Sequence, residues 1–444
     1  MLKKLFFKLS VWIDTLKGFL IFLLVWALII FFGSMIVHHI LKMGELSNTY
    51  KGEYKTLVEV DDDKMMNVVV YGEGEKTIVI LPGFGSQAPV IQYKAIADTL
   101  KDSYRVAVVE YYGYGYSMVT NKERTLDNIT SEVQSALNQS GIYEYVLMPH
   151  SLSNIYAMKM VYKYPESVKG VISLDGLYPA QYNENYYYDE YLDELHNVEL
   201  TSILELSGFA RILSYVQPDL FYINKMASEG VWGQDEVAVL RNRIATSYLT
   251  STMIDEMQRV RDNSLEIVEY KHPEGLPVLQ ILSSETVEKY SKNKEKDLIK
   301  KDLKELAVDV VTNSELQTTV VLKGTHDLQY NSYNEVGKLV KEFIDSGITD
   351  EVYYEVPIIE EEIVEEQEDG EDVEQAQDTE KIQEEQTDSL ESMIEVVPAP
   401  GEKVDVEEEP ENEIKAEVNK NTNIYDPNAA KSSSSDVVVV EINN

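Results

Sequence analysis

The 444-residue chain contains no cysteine, which excludes disulfides, thiolate zinc sites and a cysteine nucleophile together. Histidine is scarce, with only six residues, so imidazole chemistry has few candidate positions. Positive charge is short as well. Against 78 Asp and Glu stand 39 Lys and Arg, a formal net charge of −39, which makes nucleic acid an unfavourable partner. The imbalance is concentrated at one end: from Asp350 onward there are 31 acidic and 5 basic residues, a net −26, leaving −13 for everything before it. Such a segment, poor in aromatics, cannot bury enough apolar surface to offset its chain entropy, so residues 350–444 are expected to be a disordered acidic tail. The simplest reading is a solvated, self-repelling spacer. A docking arm for basic wall components or divalent cations is the alternative, and the sequence identifies no tail partner. Internal repeats of 20 to 50 residues are also missing.

One long apolar run is present. Gly18 to Val37 gives 20 consecutive uncharged, mostly apolar positions, enough for a helix to cross a hydrocarbon core of about 30 Å. An amphipathic core helix would show a polar face, and this run shows none. A transmembrane anchor is expected over residues 18–40. Lys3, Lys4, Lys8 and Lys17 precede the run, whereas His38, His39 and Lys42 follow before Glu45 turns the balance negative. The positive-inside bias puts residues 1–17 in the cytoplasm and the rest outside. An uncleaved anchor fits better than a signal peptide, since the run is longer than a usual signal core and no small-x-small site follows closely. The setting is a cell membrane, read as bacterial.

Between residues 50 and 347 short β-branched runs alternate with helical stretches, the mark of a mainly parallel sheet covered by helices. "TLVEV" and "MNVVVYGEG" read as an opening strand pair, followed by the strands "KTIVILPG", "YRVAVVE", "YEYVLMP", "VKGVISLDG", "LPVLQILSS" and "TTVVLKG". Helices are expected from Ala88 to Leu100, through "TLDNITSEVQSALNQ", through "LSNIYAMKMVYKY", over residues 288–308, and in a last segment with Tyr333, Val336, Leu339, Val340 and Phe343 on one face. Residues 178–263 show helical periods and aromatic clusters without a convincing strand, as a helical insertion would.

Chemistry concentrates at "Pro149-His150-Ser151-Leu152-Ser153", where a strand breaks into a helix. A serine in such a tight turn is lifted clear of the sheet, an arrangement called the nucleophile elbow. The usual G-x-S-x-G pattern has Pro149 and Ser153 in place of its glycines. Ser153 is small, whereas Pro149 fixes φ near −65° and is a genuine departure. Taken alone, Ser151 could equally be a helix N-cap. Two further features follow in the order that an elbow needs. "Leu81-Pro82-Gly83-Phe84-Gly85" ends the third strand, and its Phe84 N–H, with the Leu152 N–H at a helix start, could form an oxyanion hole. His326, in "LKGTHD", follows the last strand, where a general base could reach Ser151. His150 reads as packed in the elbow. Tyr112, Tyr114, Tyr116 and the Tyr186–Tyr188 run read as surface and lid packing, or as the lining of an apolar acyl site.

On the PGFG turn, the Tyr112-Gly113-Tyr114-Gly115-Tyr116-Ser117 loop, the PHSLS elbow and the closing GTH, residues 50–347 resemble the α/β-hydrolase fold superfamily, with 178–263 in the place of its helical lid. The resemblance implies that Ser151 attacks an acyl carbonyl, that His326 moves the proton and that a carboxylate orients the imidazole, with no cofactor and no metal. It places that acid after the sixth or the seventh strand. Asp175 ends the sixth and is preferred. Glu285, just after the seventh, is the alternative, since Thr286 stands where an aspartate would be usual. A serine nucleophile argues against the dehalogenase and epoxide-hydrolase branches, which use aspartate there. The implied function is a membrane-anchored serine hydrolase acting on a small-molecule acyl substrate such as a carboxylic ester. An aminopeptidase-like member, or a binding or sensor protein that has lost catalysis, are the rival readings.

Overall fold

The computed structural model describes residues 2–47, 53–61, 63–184, 196–198, 206–347, 352 and 354–356. The Tyr186–Tyr188 run and nearly all of the acidic tail lie outside the described residues. Eight runs of alternating or wholly apolar residues form one sheet: β1 (Leu57–Asp61), β2 (Lys64–Tyr71), β3 (Thr77–Leu81), β4 (Arg105–Glu110), β5 (Tyr145–Pro149), β6 (Val168–Leu174), β7 (Val278–Ser283) and β8 (Gln317–Leu322). Their order is β1-β2-β4-β3-β5-β6-β7-β8. The β1–β2 and β2–β4 pairs are antiparallel, and every later pair is parallel.

Successive side chains of a strand point to opposite faces, and the core divides accordingly. Ile78, Ile80, Val106, Val108, Val146 and Met148 pack on one side with the helices Lys94–Leu100 and Tyr333–Gly347. Val79, Leu81, Ala107, Val109 and Leu147 pack on the other with the helices Leu126–Gln139 and Ser153–Lys163. β3 and β5, buried along their whole length, could only be apolar throughout, because helices cover both faces. Val352, Tyr354 and Val356 also pack against the core.

Two helices depart from their expected extents. The segment expected from Ala88 to Leu100 forms Pro89–Gln92 and Lys94–Leu100, interrupted at Tyr93 with φ −99° and ψ 5°. That break turns the Tyr93 ring inward, where its hydroxyl accepts from the Gly83 N–H at 2.9 Å. The 288–308 segment likewise becomes Ser284–Glu295 and Leu303–Asp309. Asp297 with φ 58° ends the first, and an Asp302–Glu305 capping box starts the second.

Between β6 and β7 the described chain is helical and lid-like, including Phe209–Val216, Ile223–Ser228, Gln234–Ser247 and Ser251–Glu266. The N-terminal helix runs from Leu2 to Ser47, beyond the apolar run at both ends. Among the described residues it holds the one segment long and apolar enough to cross a membrane, Thr15–Glu45, consistent with a single spanning anchor.

The tyrosine-rich loop after β4 corrects an expectation. Tyr112 and Tyr114 are wholly buried rather than at the surface, because the loop folds inward onto a buried Glu110. The Tyr116 N–H and the Asn67 amide donate to that carboxylate at 2.6 and 3.0 Å. A Cβ on Gly115, which has φ +48°, would fall 2.1 Å from it, so only glycine fits.

Candidate active site

The C-terminal ends of the parallel strands bring together loops far apart in sequence, as open α/β sheets do. Ser151 stands two residues past the end of β5 with φ 54°, a conformation disfavoured for residues with a Cβ. The surrounding bonds hold it there. The His150 N–H donates to the Leu81 carbonyl and the Ser151 N–H to the Leu174 carbonyl, both at 3.0 Å, while the Leu177 and Asn154 N–H groups donate to the Ser151 carbonyl at 3.0 and 3.1 Å. Both departures from G-x-S-x-G are accommodated. Regular β5–β6 pairing ends at Leu147↔Val171 and resumes as one bridge at His150↔Leu174, so the N–H that Pro149 lacks falls in the gap. The buried Ser153 hydroxyl donates to the Pro82 carbonyl and accepts from the Tyr111 hydroxyl, tying the elbow to the PGFG turn. Gly83 is needed where that turn approaches, since a Cβ there would lie 2.7 Å from His150 Nδ1 and 3.3 Å from Ser151 Cβ.

The expected residues meet. His326 Nε2 stands 3.1 Å from Ser151 Oγ, and His326 Nδ1 stands 2.7 Å from Asp175 Oδ2. With the Nδ1–H donating to the carboxylate, Nε2 is free to accept from the serine hydroxyl. The Asp175 side chain is fully buried and that of His326 is 47% exposed, so the imidazole opens outward while its carboxylate does not. Asp175 is fixed from β7: the Ser283 N–H donates to Oδ1 at 2.7 Å, the Thr286 hydroxyl donates to Oδ2 at 2.6 Å, and the Ser283 hydroxyl lies 2.9 Å from Oδ2. Glu285, the alternative acid, bonds the backbone N–H of His326 at 3.3 Å and stands in the first turn of the helix Ser284–Glu295. Among the described residues neither the Phe84 nor the Leu152 N–H meets an acceptor.

His150 has a defined part that the sequence left unread. Its Nε2–H donates to the His326 carbonyl at 3.1 Å, and its Nδ1 accepts from the Tyr93 hydroxyl at 2.8 Å, which itself accepts from the Gly83 N–H. A continuous hydrogen-bond path thus joins the PGFG turn to the loop that carries His326. The two imidazoles lie 4.9 Å apart, tilted by 34°, yet shift in opposite directions. Burial first, and His326 second, push His150 down to about 4, so it is neutral. Burial would also lower His326, but the Asp175 hydrogen bond and charge, with Asp327 and Glu285 behind them, outweigh it and hold His326 above its ordinary 6.5. Tyr93, Ser283 and Thr286 were missed as well. The hydroxyl-rich "SSET" after β7 was the available signal, since such donors suit a carboxylate on the neighbouring strand.

No family model matches the chain. The uncharacterized protein YbdG of Bacillus subtilis is 28% identical over 312 residues, covering 70% of this chain and 91% of that protein. Among solved structures, a Pseudomonas aeruginosa protein provisionally named an epoxide hydrolase has a TM-score of 0.50 at 14% identity, covering 66% of this chain and 96% of that one. An enol-lactonase from Burkholderia xenovorans has a TM-score of 0.48 at 13% identity, covering 65% and 100%. With the strand order above, the similarity to the Pseudomonas structure shows that the chain has an α/β-hydrolase-like fold.

Proposed function

We propose that the protein is a membrane-anchored serine hydrolase that cleaves carboxylic esters or related acyl compounds through an acyl-enzyme, without a cofactor. The observation that carries the reading is the unbroken line from Asp175 through His326 to Ser151, with contacts of 2.7 and 3.1 Å. Ser151 Oγ forms a bond to the acyl carbon as its proton passes to His326 Nε2, and Asp175 steadies the resulting imidazolium. The Phe84 and Leu152 N–H groups take the carbonyl oxygen as it becomes an oxyanion. Collapse expels the leaving alcohol, which receives the proton from His326. Water then attacks the acyl-enzyme by the same route and releases the carboxylic acid.

In this reading the hydrolase domain covers residues 50–347 with its lid at 178–263, residues 18–40 anchor it, residues 1–17 are cytoplasmic and the domain faces outward. The lysines before the span support that orientation, and residues 350–444 serve as a spacer.

The test is labelling of the full chain by a fluorophosphonate probe. Wild type should label at Ser151, and Ser151→Ala and His326→Ala should not. Labelling that persists in His326→Ala overturns the assigned base, and folded wild type that never labels overturns the hydrolase reading.

A further inference from the structure

The lid helix Phe209–Val216 presents a face that the catalytic reading does not use. Ala210 and Ser214 point inward, whereas Phe209, Ile212, Tyr215 and Val216 are exposed, Ile212 by 50% and Val216 by 69%. Leu206, just before it, is exposed too. From Leu206 to Gln217 there is no acidic residue. An outward apolar stripe of this kind is unfavourable in water and ordinarily has a partner.

The partner follows from where the helix is fastened. Arg211 makes a two-pronged ion pair with Glu45 of the N-terminal helix, at 2.6 and 2.7 Å, and its Nε lies 3.4 Å from His38 Nδ1. Gly208, at φ +75°, rests so closely on His38 that a Cβ would lie 2.8 Å from that ring, so the approach needs glycine. Leu206 lines a cleft with Met35, Ile36 and Ile40 of the same helix. The uncharged run ends at Val37, and Glu45 stands eight residues on, about 12 Å at the helical rise. The headgroup layer on one side of a bilayer is roughly 5–8 Å thick. His38 and Glu45 therefore bracket the headgroup layer, and the lid helix is held between them.

We propose that this helix seats its outward apolar face in the surface of the bilayer that the N-terminal helix crosses, with Arg211 as the clamp. The occupant is the lipid surface, by continuity with the span and by the absence of acidic side chains. The helix leads through residues 218–221 to Tyr222, whose hydroxyl donates to Asp327 at 2.9 Å, next to His326. The proposal rests on the membrane reading of the N-terminal helix and is independent of catalysis at Ser151.

The chain has no cysteine, so single cysteines can be labelled cleanly. Ile212→Cys and Val216→Cys, carrying an environment-sensitive fluorophore, are compared with Lys292→Cys on the exposed helix Ser284–Glu295 and Leu28→Cys in the span. The full chain is reconstituted in vesicles of equimolar phosphatidylethanolamine and phosphatidylglycerol containing nitroxide lipids. Labels at 212 and 216 are expected to be quenched by the shallow nitroxide at least about threefold more than the label at 292. Arg211→Glu should reduce that quenching, and Arg211→Glu with Glu45→Arg should restore it. Quenching at 212 and 216 no stronger than at 292, while the Leu28 position is quenched by the deep nitroxide, overturns the proposal and leaves the anchor intact. Energy transfer between lid labels that grows with protein density, without lipid quenching, also overturns it, in favour of a second copy. If the Leu28 position is not quenched, the membrane premise fails, and fluorophosphonate labelling still reports on the catalytic reading separately.

Discussion

Two regions of this molecule each hold a fully buried carboxylate in a ring of hydrogen bonds, yet they differ in what the ring faces. At the sheet rim Asp175 accepts from Ser283, Thr286 and His326, and the imidazole it orients is half exposed. On the buried side of the lid helix Ser251–Glu266, Glu256 accepts from the Tyr114 and Tyr156 hydroxyls, both at 2.8 Å, beside a buried Arg124–Glu132 pair at 2.6 Å. Every partner of Glu256 is itself buried. Burial raises the Glu256 pKa, but the two hydroxyls that donate to it are buried with it. A buried, perturbed carboxylate is thus a weak sign of function by itself, and its route to an open reacting group decides. The rim should therefore govern rate, and the interior cluster stability.

The largest expected effect tests the rim. Asp175→Asn keeps the shape and the Ser283 N–H contact but removes the charge and can favour the wrong imidazole tautomer. The rate of ester cleavage or fluorophosphonate labelling should fall about 10³–10⁴-fold, while the unfolding midpoint barely moves. The pH profile gives a second readout. In the proposed mechanism His326 accepts a proton only when neutral, and its pKa is held above 6.5. Wild-type kcat/KM should therefore be lost as pH falls through a value above 6.5. In Asp175→Asn the main raising influence is gone, so the acid limb of the residual activity should move to lower pH. An unmoved limb would assign the profile to another group.

The interior makes the opposite demand. Glu256→Ala leaves two buried tyrosine hydroxyls without an acceptor and opens a void, a loss of about 3–5 kcal/mol. Urea unfolding of the full chain in detergent measures it, and labelling per folded molecule should stay near wild type. Glu256→Gln, which can accept from one tyrosine and donate to the other, should lose far less. If Glu256→Gln silenced labelling without unfolding the chain, the division between the two regions would collapse.

The path from the PGFG turn to the His326 loop should show an intermediate effect. His150→Phe keeps a buried ring but breaks the path from Tyr93 to the His326 carbonyl. Since the base then loses positioning rather than proton affinity, labelling should slow about 10–100-fold with the acid limb little changed. A limb displaced as far as in Asp175→Asn would mean that His150 takes part in the titration itself.

The contrast also explains what was legible in the sequence. Strand runs such as "TIVIL" show their burial directly, because a strand covered on both faces has no polar position. Ser151 and His326 were legible because an elbow fixes its serine beside a turn and a late histidine follows the last strand. Asp175 could be preferred to Glu285 only because Thr286 stands where an aspartate would be usual; both carboxylates follow strands closely, and side-chain direction is set by neighbours that the sequence does not order. Glu256 was invisible. It sits in a helical insertion whose partners, Tyr114 in a loop and Tyr156 in the helix Ser153–Lys163, are 142 and 100 residues away, and nothing local marks those tyrosines as interior. The hydroxyls of Tyr112 and Tyr114 argued for a surface place, and a glycine-permitted inward fold of their loop overrode that preference.

Glu285→Gln should have the smallest effect and discriminates most finely within the rim. The amide oxygen of glutamine can still accept from the His326 N–H, so the base loop should keep its place. What disappears is one of the more distant charges that raise the His326 pKa, behind Asp175 and Asp327. Labelling should stay within about threefold of wild type, because an exposed charge acting across solvent contributes little. The acid limb should shift slightly downward, in the same direction as for Asp175→Asn but by much less. A rate loss as large as that of Asp175→Asn would exchange the two carboxylates, making the helix after β7 the source of the acid and leaving Asp175 a buried support of the kind that Glu256 is within the lid.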